Sequence, residues 1–191
     1  MTPHYFFALV LPDEIKQAIA EEMETRHHLF QKSVHPEDYH LTLAFLGSVS
    51  GEAIKGACEH VQQAVDTVSS FPLTITGFGT FGKETAPRIF WAGTDEPAAL
   101  FLLQQKVSSA CKRAGLKIDE KPFRPHVTTA RKWLNAEKPF KQLRETLVWP
   151  FFTAAEIALF QTNVKNEPKY EKKWSCTLKQ LGEDKHNGPI S

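Results

Sequence analysis

The pentapeptide His40-Leu41-Thr42-Leu43-Ala44 returns later in the chain, slightly altered, as His126-Val127-Thr128-Thr129-Ala130. Both copies have the form His-x-Thr-x-Ala and lie in apolar runs, which predict β-strands. Side chains alternate between the two faces of a strand, so each histidine shares a face with the threonine two positions later. One copy arises easily by chance. Two copies in matching contexts predict two halves of a fold that close on one cleft.

Two imidazoles and two hydroxyls that face one cleft suit the chemistry of a phosphate ester. Histidine has an unperturbed pKa near ~6.5, so one ring can take a proton and the other can give one near neutral pH. Threonine hydroxyls can donate to the non-bridging oxygens, where negative charge develops in the transition state. A metal site is the weaker alternative, because each copy offers one good ligand and threonine binds zinc or copper poorly.

Length and composition limit the class of protein. With 191 residues, of which 24% are charged, the chain fits a globular protein with one sizeable core or two small lobes. A formal net charge of +1 argues against long-range binding to a duplex, but excludes neither small nucleotides nor RNA ends.

The same sequence predicts a cytoplasmic protein that does not enter a membrane. No apolar run approaches the ~20 residues that a membrane helix needs. The apolar start, 5–11, stops at Pro12, so we interpret it as a first strand and not as a signal peptide. Three isolated cysteines predict reduced thiols; they are Cys58, Cys111 and Cys176.

The apolar periodicity predicts an α+β fold in which strands alternate with amphipathic helices. Helical spacing runs over 13–30, 52–68 and 97–115, and a short helix is predicted over 140–147. Besides the motif strands and the opening strand, further strands are predicted over 71–78, 89–92, 152–160 and 170–178. We interpret 1–181 as a single two-lobed catalytic domain and expect the polar tail, 182–191, to be disordered.

Longer stretches around the two motifs resemble a known family. Tyr39-His-Leu-Thr-Leu-Ala-Phe-Leu-Gly47 and Arg124-Pro-His-Val-Thr-Thr-Ala-Arg131 resemble the paired motifs of the 2H phosphoesterase superfamily. They are most similar to its bacterial and archaeal branch, the RNA 2′,3′-cyclic phosphodiesterases once called 2′-5′ RNA ligases. The stretches 5–12 and 88–93 extend the resemblance, which covers nearly the whole chain and fades after Lys179. It implies a pseudo-symmetric two-lobed fold, with antiparallel sheets lining a central cleft and helices outside.

The resemblance also implies an activity and a role for each motif residue. We expect a hydrolase that opens 2′,3′-cyclic phosphate ends of RNA to 2′-phosphomonoesters, with no metal ion or other cofactor. By the family pattern, His40 is the proton donor to the leaving 3′ oxygen and His126 is the proton acceptor that activates water. Thr42 and Thr128 bind the phosphate. This regiochemistry is an implication of the resemblance, since the spacing of the motifs does not distinguish the two histidines.

Arg131, Arg124 and Phe7 are further candidates for substrate binding. The family often has an arginine at the position of Arg131, and a guanidinium there could pair with phosphate oxygens. Arg124 is a weaker candidate for a phosphate on the 5′ side. A base needs an aromatic stacking surface, for which Phe7 is the first candidate. The aromatic residues that follow it are Phe45, Trp91 and Tyr170.

Thr129 departs from the family pattern, in which an aliphatic residue is commoner at this position. Its side chain should face away from the cleft, opposite that of Thr128, so we interpret it as a variation in packing.

Three functions stay open at this point. The first is the cyclic phosphodiesterase, the second is ATP-independent 2′-5′ RNA ligation by the same site run in reverse, and the third is a non-catalytic nucleotide- or RNA-binding module. The presence of both histidines and both threonines argues against the third. The expected partners are RNA 3′ ends or small cyclic nucleotides. We expect a monomer, because the two lobes of one chain complete one site.

Overall fold

The computed structural model describes residues 3–83, 85–134, 149 and 151–180. The helix predicted over 140–147 and the tail predicted to be disordered, 182–191, lie outside the described residues. Within the described ranges the chain forms ten β-strands and three α-helices. They are β1 (Tyr5–Val10), α1 (Asp13–Glu24), β2 (Phe30–Ser33), β3 (His40–Gly47), α2 (Gly51–Val65), β4 (Phe71–Leu73), β5 (Ile75–Lys83), β6 (Ala86–Thr94), α3 (Ala98–Arg113), β7 (His126–Trp133), β8 (Phe152–Ala154), β9 (Glu156–Thr162) and β10 (Tyr170–Thr177).

The three helices follow the predicted apolar spacing and bury one stripe each. Ser50 caps α2, where its hydroxyl oxygen accepts from the backbone N–H of Ala53 at 3.3 Å. Proline precedes the first residue of α1 and of α3, and α2 and α3 pack against one another. The buried helix residues are Ile15, Ile19, Met23, Ala57, Cys58, Val61, Val65, Leu100, Leu103, Val107, Ala110 and Cys111.

The strands form one large antiparallel sheet in which the two motif strands are neighbours at the centre. The order is β10-β9-β1-β3-β7-β6-β5, and β2 pairs with the far end of β7. Four strands therefore belong to each half, one half ending at β3 and the other at β7. A small second sheet pairs β4 with β8. The α+β fold class with antiparallel sheets is confirmed, and the two predicted lobes correspond to the halves of this sheet.

β3 and β7 are paired as neighbouring strands at one position only. Leu41 lies opposite Val127, and beyond this pair the two strands separate. Leu41, Leu43 and Val127 point into the hydrophobic core, where they are at most 3% exposed. The histidines and threonines of the motifs consequently point to the opposite face, into the space that opens between the two strands.

Both motif strands carry a β-bulge at the same position of the pattern. Phe7 and Ala8 of β1 pair with Ala44 and Thr42, which leaves Leu43 as an extra residue. Likewise, Phe90 and Trp91 of β6 pair with Ala130 and Thr128, which leaves Thr129 as an extra residue. An extra residue shifts the alternation of side chains along the strand.

The matched bulges decide which later residues reach the cleft. In a regular strand, residues three positions apart face opposite ways. Because of the bulges, Phe45 lies on the face of Thr42, and Arg131 lies on the face of Thr128. Burial follows the same order in the two motif strands, over the six residues that begin at His40 and the six that begin at His126.

Strand β2 was missed by the sequence analysis, which predicted a helix over 13–30 and no strand between that helix and the first motif. The first helix instead ends at Glu24, and Phe30–Ser33 forms an edge strand on β7. Only Phe30 of its four residues is buried, so the segment has no apolar alternation. Its conformation depends on the hydrogen bonds that β7 offers.

Trp91 of β6 packs across two glycines on the side of the sheet that holds the second motif. A Cβ atom at Gly79 would collide with the indole ring of Trp91, and one at Gly93 would lie 2.9 Å from it. The Trp91 ring lies against Phe81, with centroids 5.2 Å apart, and Phe81 in turn packs edge-on against His126. The glycines therefore make room for the aromatic wall beside one motif histidine.

We expect Gly79→Ala to lower the free energy of unfolding by about 1–3 kcal/mol, because the new methyl group must displace the Trp91 ring. Gly56→Ala is the matched control, since a Cβ at this position of α2 meets nothing within 4 Å. It should raise stability by about 0.5–1 kcal/mol. Urea unfolding monitored by tryptophan fluorescence tests both, and equal effects of the two substitutions would contradict this packing.

Candidate active site

Five of the predicted site residues line one cleft between the separating ends of β3 and β7. They are His40, Thr42, His126, Thr128 and Arg131, and the cleft they share has a volume of about 210 Å³. Its other lining residues are Phe6, Val34, Asp38, Phe45, Ile89, Thr162 and Tyr170. The fold thus brings the histidine and threonine side chains of the two motifs together in one cleft, one pair from each strand.

The two histidines are held in the same way by backbone carbonyls. Nδ1 of His40 lies 2.7 Å from the carbonyl oxygen of Asp38, and Nδ1 of His126 lies 2.7 Å from that of Arg124. A carbonyl oxygen only accepts, so Nδ1 carries the proton in each neutral ring and Nε2 is left with a lone pair. Nε2 of His40 lies 3.1 Å from the hydroxyl oxygen of Thr42.

His40 lies among aromatic rings. Phe6 stacks on it with centroids 4.6 Å apart, and Tyr170 meets it edge-on at 5.1 Å. This burial lowers the pKa of His40 to about 4, outweighing the opposite effect of the Asp38 carbonyl and charge; the nearby His126 and Arg131 lower it further. In the empty site His40 is therefore neutral at pH 7.

His126 is more open than His40, because it borders the cleft and also an adjoining depression. Phe81 packs edge-on against it at 4.8 Å. Burial lowers the pKa of His126, the charge of Arg131 lowers it further, and the hydrogen bond to the Arg124 carbonyl partly offsets both.

Asp38 connects the first histidine to the start of β10. Its side chain is buried, and one carboxylate oxygen accepts from the backbone N–H groups of Lys169 and Tyr170, both at 3.0 Å. The other oxygen also faces the Lys169 N–H, at 2.9 Å. These bonds hold Tyr170 against His40. Burial raises the pKa of the Tyr170 hydroxyl, and the nearby charge of Arg131 acts in the opposite direction.

Sequence analysis missed the role of Asp38, although a signal was present. In both motifs the residue two positions before the histidine supplies its carbonyl oxygen to Nδ1, and in the first motif that residue is acidic. Nothing in the local sequence indicated that residues 169 and 170 would supply the N–H groups that this carboxylate binds.

Phe7 is a wrong prediction, because its side chain is 0% exposed and packs in the core against Trp174. Its neighbour Phe6 faces the cleft instead. Consecutive strand residues face opposite ways, and the run of aromatic residues in β1 did not show which of them pointed to the core. Among the other aromatic candidates, Phe45 is 53% exposed and lines the cleft, as does Tyr170.

The Arg124 side chain does not line the cleft of the motif residues. It lines the adjoining depression on the His126 side, together with Phe45, Phe81 and Phe123. Thr129 is fully buried, as predicted from its orientation, and its hydroxyl donates to the carbonyl of Phe90 at 3.3 Å.

No helix in the described parts of the chain is long and apolar enough to cross a bilayer. No three or more His, Cys, Asp or Glu side chains are gathered there as a metal ion would require.

The histidine pair and its flanking sequence agree with a family of known proteins. The family model described as the 2′-5′ RNA ligase superfamily matches residues 11–179. The chain belongs to this superfamily. The resemblance identified from the motifs is thereby confirmed.

Relatives in the superfamily are similar over most of this chain. An RNA 2′,3′-cyclic phosphodiesterase of Geobacillus stearothermophilus is 44% identical over 173 residues, which are 88% of this chain and 55% of that protein. The chain thus spans about half the length of this relative. A protein of the same name from Bacillus subtilis (strain 168) is 30% identical over 175 residues, 88% of this chain and 93% of that one. The crystal structure of E. coli LigT in apo form has a TM-score of 0.75 at 25% identity, covering 94% of this chain and 100% of LigT.

The two superfamily histidines should titrate below the ordinary range. We expect the His40 ring to stay neutral until the pH approaches about 4, and His126 to titrate below about 6.5. Added inorganic phosphate should raise both pKa values, since a nearby anion favours the imidazolium. Imidazole NMR signals followed against pH measure this, and a His40 pKa at or above 6.5 would contradict the aromatic burial described here.

These lowered values also set the sign of a stability change. Both rings bind a proton more readily in the unfolded chain, so their contribution to stability is present above about pH 6.5 and is lost as the pH falls from there through the folded-state pKa, which is about 4 for His40.

Removing the Asp38 carboxylate should lower the stability of the folded chain. Asp38→Ala leaves the Lys169 and Tyr170 N–H groups without their acceptor, for which we expect a loss of about 1–3 kcal/mol in the free energy of unfolding. The matched control is Glu37→Ala, since Glu37 is exposed and pairs only with Lys16 at the surface; its effect should stay within about 0.5 kcal/mol. Urea unfolding compares them, and equal losses would show that Asp38 does not anchor β10.

Proposed function

We propose that this chain is an RNA 2′,3′-cyclic phosphodiesterase that uses His40 and His126 as its acid and base. The observation that carries the proposal is the pairing of two Nε2 atoms and two threonine hydroxyls across one cleft. Relatives that match most of the chain are named for this activity. The substrate would be an RNA 3′ end or a small cyclic nucleotide that carries the same five-membered phosphate ring.

In the proposed reaction, His126 Nε2 takes a proton from a water molecule whose oxygen attacks phosphorus. The bond from phosphorus to the 3′ oxygen breaks, and His40 gives that oxygen its proton, so the product keeps a 2′-phosphate. The family pattern assigns these roles. The surroundings support them, because His126 borders an adjoining open depression from which water can enter, and His40 lies among aromatic rings that suit a ribose.

The anionic substrate would supply the proton that the acid needs. His40 is neutral in the empty site, but a bound phosphodiester places a negative charge beside it and favours the imidazolium. Thr42 fits this change. When His40 is neutral, the Thr42 hydroxyl donates to Nε2; when His40 is protonated, Nε2–H becomes the donor, and the Thr42 proton is free for a phosphate oxygen.

Thr128 and Arg131 would hold the phosphate from the second strand. Thr128 shares the cleft face with His126 by alternation, and the bulge at Thr129 brings Arg131 to the same face. A guanidinium can donate to two phosphate oxygens at once.

Ligation of RNA ends through a 2′-5′ bond is the second candidate function. The depression beside His126 is lined by Phe45, Phe81 and Phe123 as well as by the basic residues Lys121 and Arg124. It could seat a second nucleoside whose 5′ hydroxyl replaces the attacking water, which is the same path with a different nucleophile. In excess water this reaction would be the weaker one.

We further propose that residues 1–181 act as one catalytic domain, as a monomer and in the cytoplasm. All the residues given a role above come from one chain, so the proposed site needs no second copy. Cys58, Cys111 and Cys176 are buried and unpaired, which suits a reducing compartment.

The proposal is tested with an oligoribonucleotide that ends in a 2′,3′-cyclic phosphate, in the presence of EDTA. His40→Ala and His126→Ala should each lower the rate by about 10²–10⁴-fold, the usual contribution of a positioned acid or base, and should leave substrate binding largely intact. His28→Ala, an exposed histidine away from the cleft, is the control.

The isomer of the product separates the remaining possibilities. A 2′-phosphate from the wild type supports the assigned roles, whereas a 3′-phosphate would keep the activity and exchange the leaving oxygen. No turnover, or turnover that neither substitution changes, would overturn the two-histidine mechanism and favour the non-catalytic binding module.

A further inference from the structure

Lys32 lies beside the cleft because of the register between β2 and β7. Lys32 is directly opposite Arg131 in this antiparallel pair, and directly opposite residues project on the same face of a sheet. Arg131 points into the cleft, and Val34, two residues after Lys32, also lines it. The Lys32 side chain is exposed and therefore extends the basic surface of Arg131 toward the edge of the sheet.

Lys169 reaches the same place from the other half of the protein. The Asp38 carboxylate holds its backbone N–H, which fixes Lys169 immediately before Tyr170. Burial lowers the pKa of Lys169, and the like charge of the nearby Lys32 lowers it further; Asp38 and Glu167 act in the opposite direction. Lys32 on β2 and Lys169, just before β10, therefore flank the same part of the cleft, beside Arg131 and Tyr170.

This arrangement is unfavourable for an empty surface. Like charges that lie close together destabilise one another, and Arg131 adds a third cation close by. Of the two carboxylates that act on Lys169, that of Asp38 already accepts hydrogen bonds from the backbone N–H groups of Lys169 and Tyr170. An anion between the two ammonium groups would relieve the repulsion, and lysine binds phosphate well as a point charge.

We propose that Lys32 and Lys169 bind the phosphate that precedes the terminal nucleotide of the substrate, so that the protein prefers an RNA end to a cyclic mononucleotide. This inference rests on the proposed function and adds a second phosphate subsite to it. The position follows from the direction of the reaction. The 3′ oxygen leaves toward His40, Tyr170 contacts His40, and Lys169 is the neighbour of Tyr170. A ribose seated there continues through its 5′ oxygen to the preceding phosphate.

The test compares a substrate that has the preceding phosphate with one that lacks it, and a neutral analogue isolates the contribution of its charge. Adenosine 2′,3′-cyclic phosphate has no preceding phosphate, whereas the dinucleotide ApA with a terminal 2′,3′-cyclic phosphate has one. We expect kcat/KM of the wild type to be higher for the dinucleotide by about tenfold or more. One additional hydrogen bond to a charged group changes kcat/KM by about this factor. A neutral methylphosphonate in place of the internal phosphate should remove most of this preference.

Lys32→Gln, Lys169→Gln and the double variant should reduce the ratio of the two kcat/KM values, the double variant to near one. Lys165→Gln is the matched control, because this substitution removes the same charge from an exposed residue on the turn just before β10. The ratio of the two kcat/KM values in this variant should equal that of the wild type. Thermal unfolding checks that each variant is folded.

The outcomes separate this inference from the proposed function. Equal kcat/KM values for the two substrates in the wild type, or an equal loss on both in the lysine variants, would overturn the second subsite and leave the phosphodiesterase intact. If neither substrate is hydrolysed, the proposed function fails. Equilibrium binding of adenosine 2′-phosphate and of ApA 2′-phosphate then decides the subsite, which is overturned if the two bind equally well.

Discussion

One residue pair, Leu41 opposite Val127, joins the two halves of the sheet, and the site exists because the pairing stops there. Had β3 and β7 remained paired along their length, the residues on the motif face would have stood on a closed sheet. Their separation instead opens a cleft with one motif on each wall. The apolar residues that alternate with the motifs lie in the core and hold both walls in place. The packing of one face thus determines the geometry of the other.

The part of the site that could be predicted from sequence is the part set by simple alternation. His-x-Thr puts two side chains on one face of any strand, so the catalytic candidates followed from the motifs. Arg131 could be proposed only from the family resemblance, because a bulge reverses its direction and the sequence does not show a bulge. Phe7 was predicted to line the cleft instead of its neighbour Phe6. Both residues are aromatic, and only the packing of the core shows which of the two side chains faces inward.

Contacts between segments that are far apart in the sequence could not be predicted from it. β2 is a strand because β7 offers it hydrogen bonds, and its own residues predict a loop. The link from Asp38 to residues 169 and 170 spans most of the chain and depends on how β9 and β10 return to β1. The buried stripes of the three described helices, by contrast, could be predicted because they follow local spacing, although α1 ends at Glu24, before the predicted end of its helix.

Asp38 anchors β10 through backbone N–H groups, and any residue except proline has one. The side chains at 169 and 170 are therefore independent of the bond that holds them in place. Substitutions at these two positions can therefore adapt the protein to a different ligand without breaking the hydrogen bonds to Asp38 or changing the orientation of His40. The Asp38 carboxylate thus fixes the backbone position from which a ligand is contacted, while the side chains that make the contact can change.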